Sequence, residues 1–111
     1  MIVIKWEKDD EEYEYYDLFT YTGKNEKVRI AYLYWSDVYK HWVLVTTIPK
    51  IKPKTRWYDN YNVNQLNEVF FRAVLDIQSD LNEIFYMCND YNDAIHDYII
   101  DYIQGINHNE N

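Results

Sequence analysis

The chain has 111 residues, a net charge of −8 and one cysteine, Cys88. That length holds a single core, and a lone cysteine excludes an intrachain disulfide framework. Two glycines and two prolines exclude a loop-rich or low-complexity chain. No apolar run approaches the eighteen or so residues of a membrane span. The first residues, MIVIKWE, lack the basic region and apolar core of a secretion signal. The expectation is one cytoplasmic domain over 1–111.

Charge is segregated along the chain. Residues 1–23 carry seven acids and two bases, 24–56 two acids and eight bases, and 57–111 ten acids and one base. Such segregation tends to reappear over the surface, where it steers association with charged partners.

Residues 2–7 alternate, with Ile2, Ile4 and Trp6 on one side and Lys5 and Glu7 on the wet side. This predicts a strand. Asp9, Asp10, Glu11, Glu12, Glu14 and Asp17 crowd the next nine positions, the first part a solvated turn. Tyr13 to Thr22, rich in Tyr, Phe and Thr, predicts a second strand. Gly23 and Asn25 mark a turn. Lys27 to Trp35 predicts a third strand, with Val28, Ile30, Tyr32 and Tyr34 on one face and Arg29, Ala31, Leu33 and Trp35 on the other. His41 to Ile48 predicts the fourth. Short connections make residues 1–48 an antiparallel meander.

Lys50, Lys52, Lys54 and Arg56 then recur at every second residue, with Trp57 behind them and Pro53 excluding a central strand. Residues 49–61 therefore read as a basic crossover. From 62 to 88 the spacing is helical: Leu66, Val69, Phe70, Ala73, Val74, Ile77, Leu81, Ile84 and Phe85 form one stripe. Asn67, Glu68, Arg72, Asp76, Ser79, Asp80 and Glu83 fall on the other, wet face. Asn62 is the expected N-cap, with Gln65 bonding back. A second helix is expected over 91–105, with a stripe of Ile95, Tyr98, Ile99, Tyr102, Ile103 and Ile106, closed by Gly105. The order ββββαα gives an α+β fold, two helices on one face of a four-stranded antiparallel sheet.

No catalytic signature is present. His41, His96 and His108 form no metal-ligand spacing, and Cys88 has no cysteine partner. Two glycines cannot build a phosphate loop. Neither a catalytic residue nor a metal or cofactor is expected. Two charge patterns remain. Lys50, Lys52, Lys54, Arg56 and Trp57 suit the backbone of a nucleic acid, and equally suit an edge strand kept soluble by lysines. The latter is favoured, since a net −8 protein repels phosphates elsewhere. Asp90, Asp93, Asp97 and Asp101 step by three, four and four, one row along the second helix flanked by Tyr91 and Tyr98. Neighbouring like charges cost an isolated helix a few tenths of a kcal/mol each. Asp90 and Asp93 suit a helix N-terminus; Asp97 and Asp101 have no such use, and the row suits either a solvated face of an acidic protein or a surface presented to a basic partner. The cluster Asp9, Asp10, Glu11, Glu12 and Glu14 forms a second acidic patch.

The segment NDAIHDYI, residues 92–99, resembles the acidic helices of phage antirestriction proteins that mimic DNA. The Asn-, Asp-, Tyr- and Ile-heavy composition is similar to phage anti-CRISPR proteins. The resemblance implies a non-enzymatic inhibitor whose carboxylates stand in for phosphates. The target would be a basic, nucleic-acid-binding surface on a CRISPR effector or restriction enzyme. An immunity protein or antitoxin needs the same acidic face against a basic toxin. A small nucleic-acid-binding module using the Lys50–Arg56 strip is the third reading.

Overall fold

The computed structural model describes residues 3–21, 26–49, 51–82 and 89–109. Strands β1 (Val3–Lys8), β2 (Tyr15–Tyr21), β3 (Lys27–Ser36), β4 (His41–Thr46) and β5 (Thr55–Tyr58) precede helices α1 (Leu66–Asn82) and α2 (Asn89–Asn109). The strands pair antiparallel in chain order, so the fold is α+β on a meander. The sheet has five strands, not four. The fifth lies within the expected crossover, because Pro53 falls just before it and an edge strand tolerates a missing donor on its open side. The β4–β5 ladder is extended by Thr46 N–H donating to the Lys54 carbonyl at 2.9 Å.

Period-2 alternation sorts the sheet into two faces. Ile4 and Trp6, Tyr16 and Leu18, Ala31 and Leu33, Trp42 and Leu44, and Tyr58 lie towards the helices. The expected alternation of the third strand is interrupted. Leu18 pairs with Ala31 but Phe19 with Arg29, leaving Ile30 as an extra residue in a bulge. The bulge lets Ile30 and Ala31 both be buried and sends Tyr32 and Tyr34 to the opposite face, with Arg29. The β3–β4 turn is closed by Lys40 N–H donating to the Ser36 carbonyl at 2.8 Å, with Lys40 at φ 57°.

Val69, Ala73, Val74, Ile77 and Leu81 of α1 are fully buried, with Leu66 and Phe70 packed at the margin; Ile84 and Phe85 lie outside the described residues. At about 1.5–3 kcal/mol per large side chain, this stripe is a main source of stability. Gln65 Oε1 accepts from Asn62 N–H at 2.7 Å, and Gln65 N–H donates to the Asn62 carbonyl at 3.1 Å. These reciprocal bonds close a turn in front of the helix. The first helical bond runs from Val69 N–H to the Gln65 carbonyl, so Gln65 occupies the cap that Asn62 was expected to fill.

Helix α2 packs Ala94 and Ile95 into the core, with Tyr98 and Ile99 at its margin, and stacks Tyr102 on Phe71 with centroids 4.2 Å apart. Its strand neighbour is β1. Ile103, expected in the stripe, is 46% exposed. Gly105 keeps a helical φ and does not end the helix, which runs on to Asn109; a closing turn would need the left-handed conformation.

Val74→Asp or Ile77→Asp places an unpaired charge in this core and is expected to remove about 3 kcal/mol or more. Thermal unfolding should show either variant lacking the native transition. Wild-type melting would mean that the stripe does not pack on the sheet.

Candidate functional site

Charge pairing separates the carboxylates into two populations. Asp80 on α1, expected on the wet face, is 7% exposed and accepts from Arg56 at 2.5 Å and Lys54 at 3.3 Å. Asp76, also expected wet, accepts the Tyr58 hydroxyl at 2.5 Å and pairs with Arg72 at 3.2 Å. Burial, followed by this bond to Asp76, pushes the Tyr58 hydroxyl well above its usual range. The sequence hid the pairs to Lys54, Arg56 and Tyr58 because they join α1 to the last strand, whose helix-facing residues are Arg56 and Tyr58.

The basic segment is thereby divided. Arg56 and Lys54 face α1 and tie it to the sheet edge. Lys52 is exposed, Trp57 turns to the opposite face, and Lys50 lies outside the described residues. Lys54 and Arg56 therefore do not share a surface with Trp57.

The acidic loop between β1 and β2 is exposed at Asp9, Asp10, Glu11 and Glu12, with Asp10 Oδ1 accepting from Glu12 N–H at 2.7 Å. Glu14 is drawn into the fold. It accepts the Tyr16 hydroxyl and pairs with Lys8 at 3.7 Å, and burial together with that bond pushes Tyr16 up to about 12.

On α2 the helix spacing holds as expected. Asp93, Asp97 and Asp101 are all exposed, and none has an ion pair among the described residues. The side chains of Asp90 and Tyr91 lie outside what is described. Tyr98 lies on the inner side of the helix, half-buried, its hydroxyl pushed up by burial. Asp97, Tyr98 and Asp101 border a groove against Val3 and Ile4, the start of β1. The acidic loop follows the other end of that strand. At about 3.3 Å per residue, roughly 15–20 Å of β1 separates the two patches.

The face away from the helices was not anticipated as a surface. It carries Tyr15, Phe19, Tyr32, Tyr34 and Trp57, the last 64% exposed. Tyr15 stacks with Tyr32 at 5.5 Å and with Tyr34 at 6.1 Å; Lys27 lies 4.3 Å over the Phe19 ring and Arg29 5.0 Å over Tyr32. The signal was the Tyr-x-Tyr spacing at 32–34, masked by the bulge at Ile30. Among the described residues no group of His, Cys, Asp and Glu could hold a metal ion, and no helix is long and apolar enough to cross a membrane. His41 is half-buried against Tyr39, and His96 is exposed. No protein-family model, curated protein or solved structure matches this chain.

Asp17 gives a test of the pairing. It lies on the open face, 6% exposed, and its pKa is raised, first by burial and then by neighbouring Asp9; Arg29 at 3.6 Å pulls it back. A carboxyl raised by folding adds stability at low pH and loses it as pH rises through the folded value. Asp17→Asn should therefore melt higher than wild type at neutral pH, with the gain vanishing in acid. A lower melting temperature at neutral pH would mean that the Arg29 pair outweighs burial.

Proposed function

We propose that this chain is a non-enzymatic inhibitor of the phage anti-defence kind, docking acidic side chains on a basic, nucleic-acid-binding surface of its target. One observation carries the reading. The fold pairs Lys8, Arg29, Lys54, Arg56 and Arg72 with carboxylates of the β1–β2 loop, the sheet and α1. It leaves Asp93, Asp97 and Asp101 exposed and unpaired among the described residues. Asp9, Asp10, Glu11 and Glu12 would add negative potential at the far end of β1. The nucleic-acid-binding alternative is weakened by the engagement of Lys54 and Arg56 with Asp80.

An inhibitor of this kind acts by occupancy. Titration against the target should saturate near a fixed molar ratio and be indifferent to a chelator. Turnover, or loss of activity on chelation, would contradict it.

Changing Asp97 and Asp101 together to Asn keeps size and polarity and removes a repulsive i,i+4 pair, so the fold should hold or gain slightly. Association should slow by roughly two- to tenfold at low salt, with a shallower salt dependence, because exposed charges act first by steering. The exposed acids Glu26 and Asp59, changed to Gln and Asn, should matter less. Surface plasmon resonance across a salt series reads all three. Wild-type binding by the double variant, with activity abolished by Lys52→Ala, would transfer the role to the basic segment.

A further inference from the structure

The two acids that lack a structural use stand beside a cleft of about 360 Å³ between the start of β1 and α2. The strand and the helix each supply one apolar wall. Val3 and Ile4 form one, and Ala94, Tyr98 and Ile100 form the other, with the exposed Asp97 and Asp101 also lining the cleft. The volume is at the low end of ligand pockets, room for one long side chain and its water. Val3 and Ile100 are 53% and 38% exposed, apolar surface left open where the fold had carboxylates alongside it. Strand β1 is an edge of the sheet, paired on one side only by β2. Backbone groups on its other side are therefore not in a ladder.

We infer that this groove receives an arginine side chain of the partner protein. The inference rests on the reading of α2 as the partner-binding surface and names what that surface binds. An arginine has an apolar stem that suits the Val3, Ile4 and Ile100 walls, and a charged head that remains near water. Carboxylates four residues apart on a helix start from Cβ atoms about 5–6 Å apart. A planar guanidinium with five donors engages two such acceptors and keeps one for an edge carbonyl, whereas an ammonium is a point charge. The Tyr98 ring adds a face on which a guanidinium can lie. An anionic or neutral side chain finds no match at Asp97 and Asp101.

The probe is a blocked tripeptide amide with a central arginine, titrated into the labelled full chain and followed by backbone amide NMR shifts. Saturable shifts are expected at Val3, Ile4 and Tyr98. The citrulline tripeptide, equal in shape and uncharged, should bind about tenfold or more weakly, and the lysine tripeptide should fall between. Val3→Lys gives the groove a cation of its own at an exposed position. It should leave the melting temperature unchanged, abolish the peptide shifts and weaken target binding. Equal binding of arginine and citrulline, equal binding of arginine and lysine, or shifts centred elsewhere would overturn the inference. If Val3→Lys binds the target as wild type while the Asp97→Asn, Asp101→Asn variant does not, the groove is refuted and the acidic surface stands. If both variants bind normally, both readings fall.

Discussion

The burial of one stripe of α1 against one face of the sheet sets the placement of nearly everything else. Val69, Val74, Ile77 and Leu81 are fully buried with Leu18, Leu33, Trp42 and Leu44 opposite in the same core. Trp42 is fully buried, and its indole N–H donates to the Asn62 carbonyl at 2.9 Å, fixing the chain just before the helix. A buried indole without that acceptor would leave an unsatisfied donor, a loss of about 1–3 kcal/mol. Trp6 stacks on Phe70 at 4.4 Å, so the stripe reaches from the first strand, while Asp76 and Asp80 reach the last. With α1 tied to β5, α2 is left the β1 side, and its exposed carboxylates Asp93, Asp97 and Asp101 have no ion pair among the described residues.

That geometry accounts for the charge pattern better than a surface that is acidic throughout. A buried carboxylate must be paired, and Asp80 is, by two cations drawn from the most basic stretch of the chain. Lys54 and Arg56 therefore serve the fold. Asp93, Asp97 and Asp101 on α2 receive no such compensation among the described residues, and it is here, beside an open apolar groove, that a basic partner would gain most.

Much of this was readable from periodicity. The four strands and both helices follow from period-2 and period-3.6 spacing, and the reciprocal Asn62–Gln65 bonds follow from their three-residue separation. What was missed has specific causes. A fifth strand of four residues, two of them Arg56 and Trp57, has too little apolar pattern to separate from a crossover. One bulged residue, Ile30, exchanges the faces of a strand, and nothing in KVRIAYLYW marks it. Asp76 and Asp80 look like solvent-facing residues because Tyr58, Lys54 and Arg56, which hold them to the sheet edge, are distant in sequence. The exposure of Asp93, Asp97 and Asp101 could be expected from spacing alone; their neighbourhood with Val3 and Ile4 could not, since it depends on which strand α2 packs beside.

Hydrogen exchange measured on the chain alone and in complex with a partner captured from a lysate tests the central claim directly. The account predicts added protection along α2 from Asp93 to Asp101 and at the start of β1, with β3 and β4 unchanged. Protection confined to Tyr32, Tyr34 and Trp57, with α2 exchanging as in the free chain, would contradict it and make the aromatic sheet face the working surface.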